Sequence, residues 1–240
     1  MVVRLGSSSV CRDSIIIDRE PIGGFIDRAD PSEVWFRLVQ GRSPSEEESG
    51  VFRAILCAMG DHGATPPSTQ SARLAASSGS GIHCALASAL LSFGDHHAGA
   101  IERAMELFSA SVRDMVNPGE LVSSFLSRGE RMPGFGHRVH RQDPRVAPLV
   151  RKGLSLRDTR HLRFFLAVQE ELTRLKGIRG NIDGVAGALL LDMGFPPEVG
   201  RGVFFCGRIP GLIMWILREV SQGPFRPYRL APVEEEPCIG

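Results

Sequence analysis

Arg131 to Arg145 reads RMPGFGHRVHRQDPR, in which a proline and two glycines free the backbone to turn tightly just before His137. Arg145 closes the stretch in the triplet Asp143-Pro144-Arg145. A rigid loop that presents one imidazole and then a fixed guanidinium suits a small polyanionic substrate. The imidazole exchanges a proton near neutral pH, and the guanidinium grips a carboxylate through two parallel hydrogen bonds. On these residues alone, a solvated basic loop with an incidental histidine is the alternative. Three further stretches carry acid–base side chains: DHGATPPST from Asp61, DHHAGA from Asp95 and NIDG from Asn181. His62, just past a helix end, either donates to a carboxylate or keto oxygen or caps the last carbonyls. His97, at a helix start, feels the positive end of the macrodipole, which disfavours imidazolium and leaves a neutral hydrogen-bond donor. Asp183, directly before an apolar helix, is either an N-cap or a carboxylate that desolvation turns into a stronger base. Arg208, among the apolar residues of FFCGRIPGLIMW, needs an anionic partner on energetic grounds.

The elements that must position these groups read as almost all helix. Residues from Arg12 to Ala29 mix the β-branched run Ile15–Ile17 with Gly23 and Gly24, which reads as a small strand or ribbon ahead of the helical body. Ser43-Pro44-Ser45-Glu46 is a helix-start signal, with a serine cap, a proline in the first turn and a glutamate to complete the capping box. Val51, Ile55, Leu56, Ala58 and Met59 follow at helical spacing, and the helix should stop near Asp61-His62-Gly63. Ile82 to Phe93 is small and apolar nearly all round, the pattern of a buried helix. Helical character resumes from Ile101 to Leu107, from Leu162 to Leu175, from Ala186 to Met193 and from Gly211 to Val220. Asn117-Pro118-Gly119 and the residues after Gly177 read as loops, and the proline-rich tail from Pro224 as extended.

The totals narrow the function classes. With 42% hydrophobic and 23% charged residues in 240, the chain buries a sizeable core as an ordinary globular protein. A net charge of +1 gives no global field to attract nucleic acid or an anionic membrane, and no apolar run approaches the length of a span. The N-terminus lacks the apolar core of a secretory signal. Five scattered cysteines without a CxxC pair indicate neither a disulfide framework nor a zinc site; Cys57, Cys84 and Cys206 read as buried thiols, and a reducing cytoplasm fits best.

GFGHRVHRQDPR resembles the signature of the citrate synthase superfamily, in which a Gly-x-Gly-His-Arg loop is followed by Asp-Pro-Arg. DHGATPPSTQSARLAASSGS, DHHAGAIERA and NIDGVAGALL resemble three more stretches of that family, and the four occur in the family's order. The superfamily includes citrate synthases, citryl-CoA lyases and the lyase module of ATP-citrate lyase. The resemblance implies a mainly α, multi-helical, citrate-synthase-like fold of minimal length. It implies one unit over 1–240, with a small subdomain near 120–180 inserted in a large helical subdomain formed by the remainder. It implies His97, His137 and Asp183 as catalytic residues, and His62, Arg145, Arg208 and Arg226 as substrate-binding, with Arg229 as the fallback for Arg226. Arg138 and Arg141, with His140 beside them, would lie along the CoA phosphates, and His96, one residue out of register with His97, would be structural.

By the same resemblance a CoA thioester is a substrate and no metal is required. Oxaloacetate, acetyl-CoA and citryl-CoA are the small-molecule partners, and a homodimer with shared active sites is expected because Arg226 matches an arginine that in relatives reaches the partner subunit. No nucleic-acid or membrane partner is expected. DHG, GDHHAGA and NIDG…LLLDMG look closer to citryl-CoA lyase than to citrate synthase, which stays the alternative. Two departures, Ala98 for the first glycine of His-Gly-Gly-Ala and TPPST for an Asn-Ala-Ser-Thr-like run, motivate a third reading, a non-catalytic homologue that binds CoA or acids.

Overall fold

The computed structural model describes residues 5–137 and 141–224. A three-stranded antiparallel sheet comes first, with β1 (Ser8–Cys11), β2 (Ser14–Ile17) and β3 (Glu20–Pro21) in sequence order. Ser8 lies opposite Ile17 and Ile17 opposite Glu20, so Asp18 and Arg19 alone turn the chain, both at positive φ as a two-residue hairpin loop demands. The β-branched run thus forms β2. Gly23 and Gly24 do not belong to the ribbon: they lie in α1 (Ile22–Arg28).

Helices follow from there. α2 (Pro31–Gln40) is capped by Asp30, which accepts from the Ser32 N–H. α3 (Glu46–Ala58) begins two residues later than Ser43 suggests. Ser45 and Glu48 form the reciprocal capping box, Ser45 N–H to Glu48 and Glu48 N–H to Ser45 Oγ, at the same spacing that Ser43 and Glu46 also have. α4 (Pro67–Ser77), α5 (Ile82–Leu91), α6 (Ala100–Arg113) and α7 (Pro118–Ser127) come next. Asn117-Pro118-Gly119 is therefore a helix start and not merely a loop: Asn117 accepts from the Gly119 and Glu120 N–H groups, and Pro118 occupies the first turn. α8 (Val146–Gly153), α9 (Arg160–Lys176), α10 (Ile182–Asp192), a short 3-10 turn (Pro197–Val199) and α11 (Gly200–Ser221) complete the chain. Among the described residues, no helix is long and apolar enough to cross a membrane.

The chain divides into two compact units. The first holds the described residues up to Ile55 and Ala100–Arg201, and the segment 120–180 falls wholly within it. Its core has two aromatic clusters. Phe52 is sandwiched between Trp35 and Phe195 at centroid distances of 5.0 and 5.4 Å, with Phe36 edge-on to Phe52 and Phe195. Phe108, Phe135, Phe164 and Phe165 form the other, where α9 packs on α10. Aromatic rings in offset-stacked and edge-to-face pairs contribute beyond the area they bury.

The second unit holds Leu56–Gly99 and the described residues from Gly202 on. Small residues let its helices approach closely: Ala72 and Ala76 of α4, Ala85 and Ala89 of α5, and Leu212 and Ile216 of α11 form one buried cluster. α5 is not buried on all sides, as its composition suggests. Its alanine edge, with Leu86 and Ser88, meets neighbours, while Leu91 is 89% exposed and Ile82 and Leu90 are also open to solvent. Cys57 and Cys84 are exposed too, since each lies off the apolar stripe by which its helix is buried, whereas Cys206 is half-buried.

Phe52→Ala should destabilise the first unit by about 3–5 kcal/mol, the usual cost of deleting a buried aromatic ring. The unfolding midpoint in urea, compared with the unchanged protein, checks this.

Candidate active site

In the first unit, the stretch from Gly134 to His137 is laced to the chain segment that leads into Asp183. Phe135 pairs with Gly180 as an antiparallel bridge, the Gly136 N–H donates to the Arg179 carbonyl at 2.8 Å, and the Asn181 N–H donates to the Gly134 carbonyl at 3.0 Å. Asn181 Nδ2 adds a bond to the Gly136 carbonyl at 2.7 Å. Gly134 has φ +84, and a Cβ there would stand 2.7 Å from Gly184 Cα, so glycine is required by both its conformation and its neighbour. Asn181 also caps α10, accepting from the Asp183 and Gly184 N–H groups. The cap is therefore Asn181 and not Asp183, which sits half-buried in the first helical turn. His137 and Asp183 thus extend from one frame. Asn181 was visible in the sequence as the polar residue directly before an apolar helix.

The same frame fixes Arg145. Its Nε and Nη2 donate to the two oxygens of Asp143, each at 2.8 Å, and its backbone N–H donates to Oδ1 at 3.1 Å. The Ile182 N–H completes the set, donating to Asp143 Oδ2 at 3.0 Å. Burial on its own would raise the Asp143 carboxyl, but the Arg145 guanidinium and the two backbone donors outweigh it and hold the group below its ordinary value. The fork is made by the Nε–Nη2 edge of the guanidinium. Arg141 is exposed. Arg138 and His140, like Arg226 and Arg229, lie outside the described residues. A cavity of about 430 Å³ lined by Ser111, Val112, Met115, Val116, Arg163 and Phe164 lies at the start of α9, whereas Gly180 to Asp183 follow that helix's other end, so it is separate from this frame.

The second unit places His62, His97 and Arg208. His97 exchanges backbone hydrogen bonds with Gly94 at 2.9 and 3.0 Å, its ring stacks on Phe93 at 5.0 Å, and its Nε2 lies 2.8 Å from the Ser68 hydroxyl. Ser68 is fully buried in the first turn of α4, which Pro66 and Pro67 initiate. TPPST thus starts a helix that brings a hydroxyl to His97, a role the sequence did not reveal because the two residues are 29 apart. His97 precedes α6 by three residues, so that helix's dipole, which fades beyond the first turn, acts on it weakly; the ring is oriented by Ser68 and Phe93. His96 is exposed in the turn before it.

His62 is exposed on a loop that α11 holds at three points. Arg208 Nε donates to the Met59 carbonyl at 2.7 Å, the Gly211 N–H to the Gly60 carbonyl at 3.1 Å, and Trp215 Nε1 to Asp61 Oδ1 at 3.0 Å. Pro210 interrupts the helix ladder at this turn, and the Gly211 N–H bonds across to the loop. Arg208 is only 1% exposed and lies over the Phe204 ring. No group of three or more His, Cys, Asp or Glu side chains able to hold a metal ion occurs among the described residues.

A mainly helical fold with a three-stranded sheet, in which backbone hydrogen bonds fix the loops carrying His97 and His137, defines the class to compare. The family described as citrate synthase, C-terminal domain, matches residues 14–228, and the chain belongs to the citrate synthase family of enzymes. A citrate synthase of Haloferax volcanii is 30% identical over 188 residues, 76% of this chain and 49% of that protein; the chain spans about half the length of this curated relative. Among solved structures, the citryl-CoA lyase from Hydrogenobacter thermophilus superposes with a TM-score of 0.85 at 28% identity, covering 99% of this chain and 98% of that one. The ATP citrate lyase from Methanothrix soehngenii shares the fold, with a TM-score of 0.83 at 24% identity over 95% of this chain and 41% of that chain.

Ala98 stands at φ +67, a left-handed conformation that suits glycine and strains an L side chain. Ala98→Gly should therefore stabilise the protein by about 1 kcal/mol, read as a higher urea midpoint. An unchanged or lower midpoint would show that the loop carries no such strain.

Proposed function

We propose that the chain is a citryl-CoA lyase that cleaves citryl-CoA to acetyl-CoA and oxaloacetate. The observation that carries this reading is its end-to-end correspondence with the Hydrogenobacter thermophilus citryl-CoA lyase, against half-length matches to citrate synthases. The lacing of the His137 loop to the Asp183 segment supports a shared proton-transfer role. In the proposed reaction, His137 takes the citryl hydroxyl proton as the carbon–carbon bond breaks and the keto group of oxaloacetate forms. The electron pair passes to the thioester as an enolate, whose oxygen accepts a hydrogen bond from His97. Asp183 returns a proton to the enolate carbon to give acetyl-CoA. His62, Arg145, Arg208 and Arg226 hold carboxylates, and Arg138 and Arg141 meet the CoA phosphates. The CoA thioester is the substrate that brings the reactive group, and none of these proton transfers calls on a metal.

The 30% identity to a citrate synthase favours a second reading, condensation of acetyl-CoA with oxaloacetate followed by thioester hydrolysis. Mixing the protein with citryl-CoA separates the two. Oxaloacetate, followed by coupled NADH oxidation, without free thiol marks the lyase, whereas thiol release marks the synthase. Silence in both assays would leave a binding protein. For the lyase, Asp183→Ala should lower kcat by at least 10³-fold while leaving oxaloacetate binding within severalfold, on the order of what a lost general acid–base costs. A mutant with the normal rate removes Asp183 from the mechanism.

A homodimer with shared active sites is part of the proposal. The second unit exposes Leu90 and Leu91 of α5, Leu74 of α4, and Met214 and Leu217 of α11, apolar side chains of the kind a second copy buries. Sedimentation equilibrium should give the mass of two chains, and Leu91→Glu should shift it toward one.

A further inference from the structure

We infer that Asp143 is a positioning residue that ties the carboxylate-binding arginine to the helix carrying the general acid–base; the inference rests on the roles proposed above for Arg145 and Asp183. The Asp143 side chain is wholly buried, and each of its oxygens accepts two hydrogen bonds. Oδ1 takes the Arg145 backbone N–H and Nε. Oδ2 takes Arg145 Nη2 on one side and the Ile182 N–H on the other. That last donor is the first residue of α10, one peptide before Asp183, and its N–H is one of those a helix cannot satisfy internally. A single carboxylate oxygen is therefore shared between the guanidinium and the helix start.

Two consequences follow from this geometry. The fork uses the Nε–Nη2 side of Arg145, so a substrate carboxylate meets the Nη1 end, and Asp143 decides which edge is presented. A displacement of Arg145 also moves the acceptor on which the Ile182 N–H rests, so the arginine and the first turn of α10 shift together. Asparagine cannot replace this carboxylate without loss. Donors approach both of its oxygens, so an amide nitrogen would face an N–H in either orientation.

The test uses the full chain and two readouts. In amide hydrogen exchange, Asp143→Asn should speed exchange in the peptide spanning Ile182 and Asp183 at least tenfold. Arg145→Lys, which leaves Asp143 in place, should speed the same amides severalfold, because the lost fork loosens the shared oxygen. In steady-state cleavage of citryl-CoA, Asp143→Asn should lower kcat at least tenfold and raise KM. In an Asp183→Glu background, whose carboxylate is already displaced, it should lower kcat by less than twofold more. Exchange at Ile182 that stays at the wild-type rate in Arg145→Lys overturns the coupling, as does a full additional kcat loss in the Asp183→Glu background. Should Asp143→Asn not fold, Arg145→Lys still decides the exchange arm. A wild-type protein inactive in both directions would sink the proposed function, yet exchange would still decide what Asp143 does.

Discussion

A backbone contact with no room for a side chain governs the first unit: Gly134 lies against Gly184, where a Cβ on Gly134 would stand 2.7 Å from Gly184 Cα. Everything that relates His137 to Asp183 depends on this approach. It lets the loop run beside residues 179–181 as if it were a second strand, so the backbone hydrogen bonds of the loop are satisfied without a sheet. Phe165 fills the other side of the contact, facing both Gly180 and Gly184, so the aromatic core holds the junction that the glycines permit. Packing and site geometry are one constraint here. A residue larger than glycine at Gly134 or Gly184 would push the His137 loop away from the start of α10.

The second unit solves a similar problem with a helix that contains a proline. Pro210 cannot donate, and the helix around it offers the Arg208 guanidinium, the Gly211 N–H and the Trp215 indole to the chain from Met59 to Asp61. Bonds to three successive residues hold the segment leading to His62, although His62 is exposed. Loops that carry function are commonly fixed in this way by a rigid scaffold beneath them.

Much of this was legible in the sequence because local rules and the fold agree. The β-branched run made β2, the amphipathic period made α9, and Gly177 ended it in the left-handed conformation its type allows. What escaped was non-local. Asp143 reads as part of a turn triplet, and nothing in the order of residues says that its oxygen caps a helix 39 residues on. Ser68 lies behind two prolines that start α4, and nothing in the order of residues pairs its hydroxyl with His97. The misread burial of α5 has a different origin: an apolar composition all round does not say which sides of a helix are packed, and here the alanine edge is buried while Leu91 stays exposed.

Ala98 shows how such a site tolerates a residue that local rules disfavour. A left-handed alanine costs roughly 1–2 kcal/mol, a sizeable part of the 5–15 kcal/mol by which domains are stable. It persists because its neighbours over-determine the turn. The Gly94 carbonyl accepts from both the His97 and Gly99 N–H groups, the His97 carbonyl accepts from Gly94, and Gly99 is packed so closely on Asp95 that a Cβ would stand 2.7 Å from its Cα. The ring of His97 is meanwhile held by Phe93, just before that turn, and by Ser68 of α4. With the imidazole anchored at both its backbone and its ring, relaxing Ala98 would break more interactions than the strain releases, so the departure from glycine is absorbed without moving His97.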